Sequence, residues 1–208
     1  MLYANDGLGN KVEATEKGAR ATCPHCGSEV LAKCGAINIW HWAHVDTQEC
    51  DPWSEPESEW HRKWKELVPS HQTEVTIEKN GQRHRADIEA TDGTVIELQH
   101  SYISPEEIHE REAFYGDMLW IFDMREVWES GRFEIEEHGY WSKYRWKYPR
   151  KHIAFTTFPC FLDFGDACLF QVVDMHIDGS CHGSGDFYEA QSLITEWQRM
   201  IGPERCRH

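Results

Sequence analysis

The sequence predicts an α/β protein: a core built on a mixed sheet, preceded by a small metal-stapled module and followed by a C-terminal α+β extension. Three observations predict it. Four of the eight cysteines fall within the first 52 residues, two of them in Cys23-Pro24-His25-Cys26. Residues 54–123 read in the order α-β-β-β-α-β, as helical and alternating apolar patterns separated by turn signals. Apolar residues make up 40% of the 208, which is enough to fill a core. The expected boundaries are 1–52 for the metal module, 53–125 for the core and 126–208 for an extension that completes it.

The first helix is expected to start in the stretch Asp51-Pro52-Trp53-Ser54-Glu55-Pro56-Glu57. Ser54 with Glu57 fits a capping box, and proline is tolerated in a first turn. Trp60, Trp64 and Leu67 at i, i+4, i+7 give one apolar stripe, and Pro69 ends the helix. Gln72 to Lys79 and Gln82 to Ala90 flank Asn80-Gly81, a hairpin turn signal. Asp92-Gly93 turns the chain again, into a third strand over Thr94 to His100. Ser104 and Glu107 form a second capping box with Pro105 at the first helical position, and Met118 to Phe122 reads as a buried strand. Further on, Ile153 to Phe158 and Leu169 to Val173 suit strands, Asp163-Phe164-Gly165 a turn, and Phe187 to Met200 a closing helix.

The charge is −15, from 21 basic and 36 acidic residues. An acidic chain is not an obvious ligand for polyanions, so any such contact needs local positive charge. Neither a basic-then-apolar leader nor a run of about 18 apolar residues occurs, which leads to the expectation of a cytoplasmic protein without a membrane partner. In that compartment cysteines are expected as metal ligands or buried thiols, not disulfides.

Two groups of residues carry chemistry. The first is Arg85-Ala86-Asp87-Ile88 followed by Ile96-Glu97-Leu98-Gln99. Period-two geometry puts Glu97 and Gln99 on one face of their strand, and the short turn allows Asp87 to lie beside them. Two adjacent carboxylates repel unless a cation separates them, and hard oxygen donors suit Mg²⁺ or Mn²⁺. Such a metal lowers the pKa of bound water and stabilises charge on a phosphate, with Gln99 orienting water or a phosphate oxygen. Taken alone, Asp87 and Glu97 more often mean a solvated strand face.

The second group is Cys23-x-x-Cys26, then His41-x-x-His44, then Cys50. Zn²⁺ takes four such ligands in a tetrahedron. Cys23 and Cys26 are the firmest; the other two come from His41, His44 and Cys50. His44 with Cys50 is favoured because that closing pair leaves room to start a helix.

These parts, together with Ser58-Glu59-Trp60-His61, Lys65, His100-Ser101, Arg111 and Tyr115, resemble the competence protein CoiA-like family within the PD-(D/E)XK nuclease superfamily. The resemblance covers about residues 20–123. It implies a restriction-endonuclease-like core that hydrolyses phosphodiester bonds in DNA, with Asp87 and Glu97 as metal ligands and Glu59 as an accessory acid. Gln99 stands where the superfamily usually has lysine, as is similar in CoiA-like proteins. His61 and Lys65, which share a helix face, are candidates for the missing basic function. Arg111 and Tyr115, one turn apart, are candidate phosphate contacts or a structural pair.

Trp141 to His152 is the dense basic stretch, with Lys143, Arg145, Lys147, Arg150 and Lys151 interleaved with aromatic rings. This pattern suits a surface where bases stack and phosphates pair, and it equally suits an edge strand with a solvated face. Two rival readings follow from Gln99 and from the charge: a nucleic-acid-binding module that does not cut, and an acidic interaction protein that mimics DNA. A homodimer or a protein partner is compatible with each.

Overall fold

A computed structural model describes residues 1–36, 39–46, 50–165, 168–178 and 180–196. The fold is mixed α/β and mostly sheet, divided into two compact units, Met1–Thr91 and Asp92–His208.

The first unit begins with five short strands: β1 (Tyr3–Asn5), β2 (Lys11–Glu13), β3 (Arg20–Thr22), β4 (Glu29–Lys33) and β5 (His41–His44). They form an antiparallel sheet in the order β2-β1-β3-β4-β5. Its core is small, with Ala4, Ala14, Val30, Ala32, Trp42 and Cys23. Trp42 supplies most of the bulk, and its Nε1 donates to the Val12 carbonyl at 3.0 Å. So little apolar volume does not hold a sheet by itself.

Helix α1 (Glu59–Lys65) starts at Ser58, whose Oγ accepts from the His61 amide at 3.3 Å. The expected cap, Ser54, instead donates its hydroxyl to the Asp51 carbonyl at 2.8 Å. Pro56 also disfavours helical geometry at the residue before it. Trp60 and Trp64 are buried as the stripe predicts, but Leu67 is exposed, because the helix stops short of it with Glu66 as its C-cap. Strands β6 (Thr73–Lys79) and β7 (Gln82–Glu89) form the expected hairpin, in a register running from Thr73↔Ile88 to Lys79↔Gln82. Asn80 and Gly81 take φ of 54° and 76°, the left-handed pair that a tight hairpin turn requires.

In the second unit, β8 (Val95–Gln99), α2 (Pro105–Tyr115) and β9 (Met118–Asp123) form a parallel crossover. Ser104 caps α2 by accepting from the Glu107 amide, and Gly116 closes it at φ 76°. Helix α3 (Arg125–Glu129) leads to β10 (Phe133–Glu137), β11 (Ser142–Trp146), β12 (Cys160–Asp163), β13 (Cys168–Ile177), β14 (Cys181–Glu189) and α4 (Ala190–Glu196). Within this unit the strands lie in the order β10-β11-β14-β13-β12-β9-β8. The β8, β9 and β12 strands run parallel and the others pair antiparallel, so the sheet is mixed. The parallel strands are buried along their whole length, as strands covered on both faces must be. Trp120, Phe122, Phe161 and Phe170 fill the centre.

Several expectations shift in this half. Lys151–Phe155 forms a 3₁₀ turn and not the start of a strand. The amides of Thr157 and Phe158 donate to Glu112 Oε1 at 2.8 and 3.4 Å, so a side chain takes the donors a ladder would need. Phe187 to Glu189 belong to β14, where Phe187 faces Phe170. The closing helix therefore starts later than expected, at Ala190, and 197–200 lie outside the described residues. The basic strand β11 sits between β10 and β14 and is not an edge. Asp163-Phe164-Gly165 is the expected turn, with Gly165 at φ 96°. Cys160 and Cys181 are buried free thiols, whereas Cys168 is disulfide-bonded, contrary to the expectation of reduced cysteines.

Candidate functional site

The metal module brings Cys23, Cys26, His44 and Cys50 together, with their ligand atoms all within 4.8 Å of one another. Cys23 Sγ lies 3.6 Å from Cys50 Sγ, and Cys26 Sγ lies 3.3 Å from His44 Nε2. A tetrahedron with arms of about 2.3 Å has edges of about 3.8 Å, so three sulfurs and one imidazole at these separations fit Zn²⁺. His41, the alternative ligand, turns its Nδ1 to the Ile39 carbonyl at 2.8 Å. Burial opposes ionisation of the Cys26 thiol, but hydrogen bonds from Ser28 and His44 prevail and bring it to about 6. The knuckle is tied to the hairpin on both sides. His25 Nδ1 lies 3.2 Å from Thr76 Oγ1. Asp51, next to Cys50, accepts from the Arg85 amide at 2.6 Å, the Trp53 amide at 3.1 Å and His84 Nδ1 at 3.1 Å. Trp53 stacks on the His84 ring.

The same unit holds a buried ionic cluster. Lys65 is 3% exposed, and its Nζ lies 2.9 Å from Glu57, 3.1 Å from Glu74 and 3.2 Å from Asp87. Burial works to neutralise Lys65, but the surrounding carboxylates win and hold it charged. Glu74 also accepts from the amides of Leu2 at 2.8 Å and Tyr3 at 3.0 Å. It sits in β6 at φ 47°, between the Thr73↔Ile88 and Val75↔Ala86 pairs. Asp87 stands between Ala86 and Ile88, both fully buried, so alternation turns it the other way, where its carboxylate is 23% exposed.

Glu59 is placed elsewhere. It lies on the solvent face of α1, ion-paired with Lys63 at 3.1 Å, and the acids beside Lys65 are Glu57, Glu74 and Asp87. His61 is buried, with Nδ1 2.7 Å from Ser58 Oγ and Nε2 3.4 Å from Glu55. Burial would lower its pKa, but the Glu55 contact and the charge of Asp87 raise it.

In the second unit, Glu97 and Gln99 are buried on β8 at 2% and 1% exposure, so neither is a solvated strand residue. Arg111 Nη1 donates to Glu97 at 2.6 Å, and its other nitrogens bond Glu107. Its guanidinium also lies over the Trp120 ring. Arg111 and Tyr115 are both buried. Arg111 braces β8 through Glu97, which fits the structural side of the two expectations for this residue. Gln99 Nε2 donates to the Ser101 carbonyl at 3.3 Å. The next residue, His100, turns Nδ1 to Asp123 Oδ2 at 2.8 Å.

The basic residues form a different surface. Lys143 and Arg145 project from β11 between buried Ser142, Tyr144 and Trp146. They line a groove of about 1830 Å³ with Lys147, Lys151, His176 and His182. Acidic residues share it, since Lys147 pairs with Glu134 and His176 lies 3.2 Å from Asp174. Arg150 is anchored to the carbonyls of Asp123 and His100 at 3.0 and 3.3 Å.

Sequence reasoning missed Glu57, Glu74 and the His100–Asp123 pair. In the sequence Glu57 fits a capping box with Ser54. Glu74 carries no local signal, because its role depends on a left-handed backbone and on partners about nine to seventy residues away.

Residues 8–52 match the family described as Competence protein CoiA, N-terminal domain. No curated protein and no solved structure matches the chain. Among the described residues, no helix is long and apolar enough to cross a membrane.

Proposed function

We propose that the chain, whose residues 8–52 match the N-terminal domain of competence protein CoiA, is a metal-dependent nuclease that hydrolyses phosphodiester bonds in DNA. The observation that carries the proposal is Lys65, held buried and charged with its Nζ 3.2 Å from Asp87. The third strand offers Gln99 where a cationic residue would serve this chemistry, and α1 delivers a fixed ammonium to the acidic strand residue instead. In this reading the carboxylate oxygens of Asp87 and Glu97 hold Mg²⁺ or Mn²⁺. These are hard donors of the type those ions take. A bound ion of this class supplies an activated water and offsets charge on the scissile phosphate. Lys65 adds a second positive charge, Gln99 positions water or a phosphate oxygen, and Arg111 holds the Glu97 carboxylate in place.

A second reading is favoured by one feature of the same residues. Asp87 and Glu97 each already face a buried cation, Lys65 and Arg111, which could stand in for metal charge in a protein that binds DNA without cutting it. Purified protein incubated with single- and double-stranded DNA, with and without added Mg²⁺ or Mn²⁺, separates the two. The nuclease reading expects products that need the ion and that fall at least a hundredfold in Asp87→Ala and Glu97→Ala, each still folded by circular dichroism. Equal turnover in wild type and both variants would sink the mechanism; binding without products would favour the second reading.

A further inference from the structure

We infer that a pocket at the carboxyl ends of β8 and β9 binds one unstacked nucleotide of a single-stranded DNA. The inference deepens the proposed function and rests on it for the choice of ligand. The pocket has a volume of about 420 Å³ and is lined by His100, Tyr102, Arg150, Lys151, His152 and Phe155, among others. Pockets of this size hold small ligands, and the crevice beyond the carboxyl ends of parallel strands is where open α/β sheets place them.

Its walls divide into three kinds of group. Tyr102 and Phe155 are 72% and 47% exposed. Exposed rings on adjoining walls offer faces on which a base stacks without regard to its identity. Lys151 and Arg150 supply positive charge, and Arg150 is fixed by its two carbonyl contacts. The acid nearby, Asp123, is taken up by His100 and Arg125, so it does not cancel them.

The third kind points independently to a ligand. His152 is 5% exposed, and its Nε2 has no hydrogen-bond partner among the described residues. Burial and the neighbouring Arg150 bring its pKa down to about 4, so the ring is neutral and can donate or accept. A buried ring nitrogen left unmet is costly, and a polar group of a ligand in the pocket that His152 lines meets it once the ring, whose Nε2 is closed to solvent, turns outward. Pro149 and Lys151 also line the basic groove, which gives the rest of the strand a place to continue. Both rings are reachable only by a base outside a helical stack, so the ligand is a single strand and not an intact duplex.

The test is fluorescence anisotropy of a labelled single-stranded oligonucleotide with the full chain, without added Mg²⁺. Tyr102→Ala should weaken binding by roughly fivefold to a hundredfold, and Tyr102→Phe should rescue it. Lys151→Ala should weaken binding and reduce the salt dependence by about 0.7 in log–log slope, the loss of one phosphate contact. Both side chains are exposed, and unchanged melting temperatures verify the fold. The inference is overturned if the wild type does not bind the strand, or if Tyr102→Ala and Lys151→Ala bind as well as wild type. Binding that depends on Tyr102 with no cleavage in Mg²⁺ would leave the inference standing and end the nuclease reading. Cleavage with no effect of either Tyr102→Ala or Lys151→Ala on binding would do the reverse.

Discussion

Glu74 shows how much a single residue can decide. Its carboxylate joins the Lys65 ammonium to the backbone of β1. Burial pushes its pKa up, but Lys65 and Arg85 push it further down, and the net displacement is downward. A carboxyl depressed in this way stabilises the fold above its unfolded pKa of about 4.3. That contribution is lost as pH falls through the folded value. Removing the sole partner of a buried charge costs about 3–5 kcal/mol; Lys65 keeps Glu57 and Asp87 when Glu74 is neutralised, so the loss here is a part of that. Glu74→Gln should therefore melt well below wild type at pH 7, and the gap should narrow as the pH is taken below 4. Thermal melts across that range check it; a gap that stays constant would mean that the charge is not what stabilises. Asp87 and Glu97 stand out in the sequence as candidates because alternation and turns are local. Glu57 and Glu74 do not, because an ionic cluster is assembled by tertiary packing, and nothing in Thr73–Lys79 marks Glu74 as buried.

At the scale of elements, the segments with strong local signals appear where the sequence puts them. Asn80-Gly81 sets the β6–β7 hairpin, and Ser104-Pro105 sets the start of α2. The misplaced elements are those in which hydrogen bonds between side chain and backbone replace the expected ones. The Ser54 hydroxyl goes to the Asp51 carbonyl in place of capping, and Glu112 draws the amides of 157 and 158 away from a strand. The pairing of β13 with β14 depends on a different local feature. A Cβ on Gly185 would lie 2.3 Å from both the Gln171 carbonyl oxygen and the Phe170 ring, and one on Gly183 would lie 2.0 Å from the Asp174 carbonyl oxygen. No rotamer relieves a clash with backbone. Gly185→Ala should thus cost on the order of 3 kcal/mol or more and yield largely insoluble protein. A soluble variant with a wild-type melt would show that the two strands can part without loss.

For the molecule as a whole, the acidic charge and the basic groove act over different distances. The charge of −15 repels a polyanion at long range, while Lys143, Arg145 and Lys151 act only in contact. Association with DNA should therefore begin slowly at low ionic strength. The N-terminal sheet has a small apolar core, so a metal held by Cys23, Cys26, His44 and Cys50 is expected to stabilise it. Elemental analysis should find one zinc per chain, and removal with a chelator should lower the melting temperature and abolish the protection of β3–β5 amides from hydrogen exchange. Protein that retains its melt without zinc would contradict a structural role. The ligand set was legible because cysteine and histidine spacing is a property of the chain itself; the clasp by Asp51 was not, since it reaches β7 from 34 residues away. That clasp makes the metal and the hairpin thermodynamically reciprocal. Whatever factor zinc contributes to closing the Arg85 amide, closing that amide must contribute to zinc affinity. Asp51→Asn, at a residue outside the metal cluster, should weaken zinc binding in a competition titration by the same factor by which it blunts zinc's effect on exchange at Arg85.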